Sequence, residues 1–474
     1  MTKTAPVSGP SRRLLLAGSA GLGGILLPVA GPARGQAAAS SSTASNQLPR
    51  ALIEKINAVI DADAERLTSV FKDLHQHPEV GFTETRTAGI IASQLRALGF
   101  SVTEGIGKTG VVGVLVNGPG PTVWFRADMD ANPGVSETTG LPYAASEKQR
   151  LADGTEIDAM HACGHDAHVT WMLGLAKAMV AMRADWSGTL VVYGQPAEEL
   201  IQGAQAMVED GLWQRGFPRP DYAFGAHSAP IPVGLVVSSP GVRQAGTDQL
   251  DVTFFGVGGH GSAPHVTIDP VVMAAQAVLA YQTIISRNVD PQTPAVLSVG
   301  AIVAGRENNV IPASAQLKLN LRWFKPEVRE QLLERIDQIN RGVAIAAGVG
   351  PDQMPTRVMK GSAGPVINDA ALVTRINPSL EALMGAGKVL DQFPAVMGSE
   401  DFQESFSGMN VPYVYMVVGA APPELFARAQ ADGKAVPYNN HSSDFFVDLA
   451  AIPIGAKINT ATVLSIMSVP AGEG

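Results

Sequence analysis

The chain has a single cysteine in 474 residues, Cys163, which excludes an internal disulfide framework. Positive charge is also scarce. Lys and Arg number 34 against 43 Asp and Glu, a net charge of −9. The first 39 residues hold four basic residues and no acid, so the remainder stands at 30 against 43, or −13. Such an acidic balance argues against nucleic acid as a partner. Long apolar runs are few. The stretch from Leu14 to Gly31 is short, broken by five glycines and Pro28, and lacks a stop-transfer flank, which argues against a stable membrane anchor. With Ser11-Arg12-Arg13 before it and small residues from Gln36 to Ser40 after it, residues 1–39 read as a cleavable export signal. Its paired arginines resemble a twin-arginine signal, whose destination is the periplasm. A Ser-rich linker follows at 40–50, and no internal repeat is visible.

What is present is a large apolar complement, 46% of the chain, enough for two or more domains. The rest of the sequence is arranged around His161 to His168, which reads HACGHDAH. A thiolate and an imidazole two positions apart, Cys163 and His165, suit a divalent transition metal. The alternative is a buried free cysteine beside capping histidines, which the His-x-Cys-x-His spacing disfavours. Bound metal would also protect the thiol in an oxidising compartment, and export of folded protein fits metal loading before export.

Periodicity predicts a helix over 51–75, ended at Pro78, and another over 83–98. His75 and His77 read as polar groups at a helix end. Short apolar runs at 110–116, 122–127, 188–193, 221–226 and 412–418 read as buried strands, with helices between several of them. This alternation predicts an α/β catalytic domain with a largely parallel sheet covered by helices, in two parts, 51–240 and 357–474. Asp128, Asp130, Glu198, Glu199 and His227 each follow a strand, so they should converge with Cys163 and His165 on one sheet edge. In the adjacent pair Glu198-Glu199, one carboxylate is able to bind metal while the other acts as base. Spacing alone leaves His441 open. From about Gly241 the pattern changes to half-exposed strands and two helices in the order β-α-β-β-α, an inserted α+β domain over 241–356.

The stretches RADMDA (126–131), HACGHDAH, QPAEE (195–199), GGHGSAPH (258–265), NVIP (309–312) and GSEDF (398–402), with the late His441, resemble the metal-dependent amidohydrolase/peptidase family of hippurate hydrolases, N-acyl-amino-acid amidohydrolases, auxin-conjugate hydrolases and related carboxypeptidases. The resemblance covers about 68 to 460. It implies a site for two divalent ions, manganese or zinc, with Cys163, His165, Glu199, His227 and His441 as ligands and Glu198 as general base. It implies that Asp130 orients a ligand, and that His260, Asn309 and Arg322 contact substrate or oxyanion. It also implies a homodimer through the inserted lid domain, whose histidine reaches the partner's site. Where family members commonly read RADMDALP, this chain continues Ala131-Asn132-Pro133-Gly134, and Asn132 and Gly134 are expected to alter the pocket wall; Glu307-Asn308 is another departure.

The expected activity is metal-dependent hydrolysis of N-acyl or aromatic-acyl amino acids. The alternative is a metallo-carboxypeptidase or dipeptidase acting on short peptides, and both need a free substrate carboxylate that Arg322 is a candidate to read. A third reading, a periplasmic binding protein without turnover, is disfavoured by Glu198, since a pure binder needs no base.

Overall fold

The computed structural model describes residues 47–151 and 154–469. The export signal at 1–39 and most of the 40–50 linker lie outside the described residues. Leu48, at the linker's end, is buried and donates its N–H to Ser379 Oγ (3.1 Å).

The helix expected over 51–75 is two helices, α1 (Arg50–Asp61) and α2 (Ala64–Gln76). The break falls at Ala62 and Asp63. Asp63 is buried there, just before α2, and its carboxylate pairs with Arg66 (2.5 Å) and Lys177 instead of capping the helix. Then come α3 (Thr85–Ala97), β1 (Ser101–Ile106), β2 (Gly110–Asn117), β3 (Thr122–Asp128), α4 (His165–Ala181), β4 (Gly188–Gln195) and β5 (Tyr222–Pro232). The inserted unit follows as β6 (Gly246–Phe255), α5 (Pro270–Arg287), β7 (Ala295–Ala304), β8 (Ser314–Trp323), α6 (Pro326–Ala346) and β9 (Thr356–Ala363). The chain returns through α7 (Ala370–Met384), β10 (Tyr413–Ala421) and α8 (Ala451–Met467).

The main sheet runs β1-β2-β4-β3-β5-β10 and ends in two short strands, Val236–Val237 and Val389–Leu390. Its centre, β4-β3-β5-β10, is parallel, while β1, β2 and Val236–Val237 pair antiparallel. Burial on both faces explains why β3 is buried from Val123 to Asp128 and reads as an apolar run. α4 and α8 fill one side and cross at close range. A Cβ on Gly455 would stand 2.3 Å from the Trp171 ring, and one on Gly174 would stand 2.6 Å from Ala456 Cβ. No helix among the described residues is long and apolar enough to cross a membrane.

The inserted unit is an antiparallel sheet in the order β7-β8-β6-β9 with its own core. Leu250, Val252 and Phe254 of β6 and Leu317, Leu319 and Leu321 of β8 pack with Met273, Ile284, Leu332 and Ile336 of α5 and α6. The fourth strand, β9, carries the sheet past residue 356 to Ala363. Alternation turns the other residues to the opposite face, where Thr247 pairs with Arg322 and Gln249 with Asn320. The chain enters and leaves through one ribbon, in which Gly241–Gln244 pairs antiparallel with Val366–Asn368.

Candidate metal centre

Three loops at the carboxyl ends of the parallel strands, together with β5, build the site. In the first loop, Gly164 holds the left-handed conformation (φ 78°) that starts α4, and a Cβ there would fall 2.3 Å from Ser228 Oγ. Only glycine fits, and the turn sets Cys163 before the helix and His165 on its first turn. In the second, Glu198 and Glu199 follow β4 on a strained loop, with Ala197 at φ 49° and Ile201 at φ 53°. Asp130 holds this loop by accepting the N–H groups of both glutamates, each at 3.0 Å. Buried Glu84 accepts the Ala197 N–H (2.8 Å) and the Thr109 hydroxyl (2.6 Å). Burial and the nearby Asp130 charge push the Glu84 carboxyl up to about 7. In the third, His441 sits at φ 66°, tied down by its N–H to Ala162 O (2.8 Å).

These pieces meet. Ligand atoms of Cys163, Glu199 and His441 lie within 4.8 Å of one another, as do those of His165, Glu198 and Glu199. Glu199 belongs to both groups, and two more adjoin them, Asp128 with His165, His168 and His227, and Glu198 with Glu400 and Asp401. Cys163 Sγ is 3.4 Å from His227 Nε2, and His441 Nε2 is 3.4 Å from Glu199 Oε1. His227 donates from Nδ1 to the Ser228 carbonyl (2.6 Å), which turns Nε2 toward the Cys163 thiol. His165 Nε2 and Glu199 Oε1 are buried without a hydrogen-bond partner. Orphaned acceptors of this kind, in a set of thiolate, imidazole and carboxylate, fit divalent transition metal. Burial pushes the Cys163 thiol up, but the His227 charge and hydrogen bonds from His165, His227 and His441 hold it well below its usual value.

Among the expected positions, Cys163, Glu198, Glu199, His227 and His441 line one cavity of about 610 Å³, together with Arg322 from the inserted unit. His165 lies buried beneath, and Asp130 Oδ1 is 3.3 Å from its Nδ1. His227 lies within β5 instead of past its end. His260 and Asn309 are not brought to this cavity. Both are exposed, neighbours of each other through Gly261 N–H to Asn309 O (2.8 Å). Asn132 and Gly134 do not line it either, because Asn132 is drawn into a two-residue pairing with Met160. The expectation that they reshape the pocket wall is therefore corrected.

Other residues support the centre without a role having been read for them. His168 uses both ring nitrogens, donating to Asp128 (2.6 Å) and accepting from Ser228 N–H (2.7 Å). Burial drives its pKa down to about 4, so the ring is neutral, and both of its nitrogens are already engaged by protein groups. Arg126, fully buried, pairs with Asp128 (2.6 Å) and Glu400 (2.6 Å) and donates to Gln195 (3.0 Å). An arginine inside the apolar run of β3 was the available signal, since a buried charge needs a partner. His75, expected at a helix end, is buried and bonded to Asp166 (2.6 Å) and Glu137 (3.3 Å). Burial, with the charges of Glu400 and Glu199, holds the Glu198 carboxyl well above the usual range.

A parallel α/β sheet whose carboxyl edge gathers thiol, imidazole and carboxylate groups into overlapping clusters has the donor set of a two-metal hydrolase. The chain belongs to peptidase family M20/M25/M40, whose model matches residues 124–465. A hippurate hydrolase of Campylobacter jejuni is 37% identical over 350 residues, 73% of this chain and 86% of its own length. Thermostable carboxypeptidase 2 of Saccharolobus solfataricus is 32% identical over 410 residues, 85% of this chain and 96% of its own. A dinuclear metal-binding peptidase of the M20 family from Bacillus subtilis superposes with a TM-score of 0.64 at 25% identity, covering 85% of this chain and 98% of its own. The protein is accordingly a metal-dependent hydrolase of amide bonds.

Proposed function

We propose that the protein hydrolyses the amide of N-acyl amino acids to a carboxylic acid and a free amino acid. The observation that carries this is the buried, uncommitted Glu198 beside Glu199 in a cavity that also holds Arg322. Cys163, His165, Glu199, His227 and His441 would hold the two ions, manganese or zinc. When bound, they supply Lewis acidity to the scissile carbonyl and to a water. Glu198 then takes the water's proton on its carboxylate and returns it to the leaving nitrogen. Asp130 keeps the Glu198 loop and the His165 ring in place. Arg322 has a buried Nη1 without a partner, an N–H group available to a substrate carboxylate. Ile201, Ile231, Val237 and Val417 give the cavity an apolar wall for the acyl group. The carboxypeptidase relative favours a second reading, cleavage of short peptides, with the same demand for a free carboxylate.

Two further readings complete this proposal. The protein forms a homodimer through the inserted unit. Its edge strand β7 exposes Ile302 and Val303, and α5 exposes Val271, Val272 and Leu279. In a dimer, His260 and Asn309 would serve the partner's cavity. The protein is also exported by its Arg12-Arg13 signal, which double lysine substitution and cell fractionation would test.

The deciding experiment is a panel of N-acyl amino acids and dipeptides, assayed after chelation and again with manganese or zinc restored. Activity should vanish and return, with N-acyl amino acids preferred. No turnover under any metal would overturn the hydrolase assignment, and a clear preference for dipeptides would favour the second reading.

A further inference from the structure

Two arginines face the cavity, and the reaction above uses one. Arg322 donates from Nε to Asn320 Oδ1 (2.9 Å) and keeps a buried, unpartnered Nη1. Arg243 lies on the entry strand of the ribbon, Gly241–Gln244, and lines the same cavity. Its Nη1 donates to the Phe393 carbonyl (2.5 Å), while its Nε is buried with no partner. Neither arginine forms an ion pair among the described residues, although other arginines such as Arg126 and Arg329 do. Burial lowers the pKa of Arg243, and no neighbouring carboxylate offsets it. A half-buried guanidinium with no counter-charge is costly, so its place in a cavity wall calls for an anion from outside. Phe393, Pro394 and Val396 surround it with apolar surface, which strengthens a charge-assisted bond. Beside it, Gln244 Oε1 is also buried without a partner.

Resting on the amide-hydrolase reading, we infer that Arg243 is a specificity-determining residue that binds a second carboxylate of the substrate. The preferred substrates are N-acyl amino acids with two carboxylates, one for each cavity arginine. The second carboxylate belongs either to an acidic amino-acid side chain or to the far end of a dicarboxylic acyl chain. Both present the same anion to the same guanidinium. A competing account makes Arg243 only an anchor for the Phe393 loop through its bond to that carbonyl.

The test uses two matched pairs with the metal-loaded full protein. One pair is N-benzoylglutamate against N-benzoylglutamine; the other is N-succinyl-leucine against its terminal amide. Wild type should favour the charged member of at least one pair by about tenfold or more in kcat/KM, chiefly through KM. Which pair shows it identifies where the second carboxylate sits. In Arg243→Gln that ratio should fall to about one, and Arg243→Lys should retain part of it. An anchor alone would lower both members together and leave the ratio intact, which overturns the inference. Wild type turning over both pairs without charge preference also overturns it, yet leaves the hydrolase reading standing. Calorimetric titration with the benzoyl pair gives the same ratio without turnover. If no member is hydrolysed but the binding preference exists and disappears in Arg243→Gln, the hydrolase reading fails and the arginine's role survives.

Discussion

At the residue scale, the two adjacent glutamates face different partners, which suits them to the different tasks proposed for them. Glu199 has an orphaned oxygen within reach of thiol and imidazole, whereas Glu198 is crowded by Glu400. Glu198→Gln should lower kcat by about 10²–10⁴-fold while metal content, read by elemental analysis, stays near wild type. Unchanged turnover would remove Glu198 from the mechanism. His75 makes a prediction about pH. Burial opposes its charge, but bonds to Asp166 and Glu137 raise its pKa to about 9. Against an unfolded value of about 6.5, that raised pKa gives stability fully present below pH 6.5 and lost as pH rises through about 9, on the order of 3 kcal/mol. Denaturant unfolding at pH 6 and pH 9.5 should show a larger pH loss in wild type than in His75→Gln. The clustering of Cys163, Glu199 and His441 was legible because their residue types carry the chemistry in short motifs. Glu84 and the Arg126–Glu400 pair were not, because their partners lie 113 and 274 positions away and only the fold joins them.

At the scale of elements, apolar periodicity located the first helices, the buried strands of the main sheet and the two helices of the insertion, since burial is what it records, but it did not mark β1, α7 or α8. It could not see the interruption at Ala62 and Asp63, because the apolar spacing continues in step on both sides. Nor could it place His227, since β5 runs on to Pro232 through residues that alternate between buried and half-buried without a continuous apolar run. The α4–α8 crossing was hidden for a different reason: both helices are apolar nearly all round, so no stripe marks the contact. Gly455→Ala would drive a methyl into Trp171 and should destabilise by about 1–3 kcal/mol, with a lower Tm and little change in substrate preference. A variant as stable as wild type would mean that the crossing relaxes freely.

At the scale of the whole molecule, the insertion was legible as a shift from buried runs to half-exposed alternation. Its fourth strand was not, because α6 looks like a closing element and β9 has a largely exposed pattern. The exposed apolar side chains of β7 and α5 predict association. Sedimentation at micromolar concentration should give a dimer, and Ile302→Lys with Leu279→Glu should give monomers with reduced turnover. A monomeric wild type with full activity would refute the dimer and the shared use of His260.

The ribbon that joins the insertion to the main sheet has a mechanical meaning. Because Gly241–Gln244 and Val366–Asn368 are hydrogen-bonded to each other, they must bend together, like a strap hinge with one pin. A swing about that pin carries Arg322 through an arc, since it rides on the moving leaf, whereas Arg243 stands on the pin itself and barely travels. Any molecule held by both would tie the leaf to its pin.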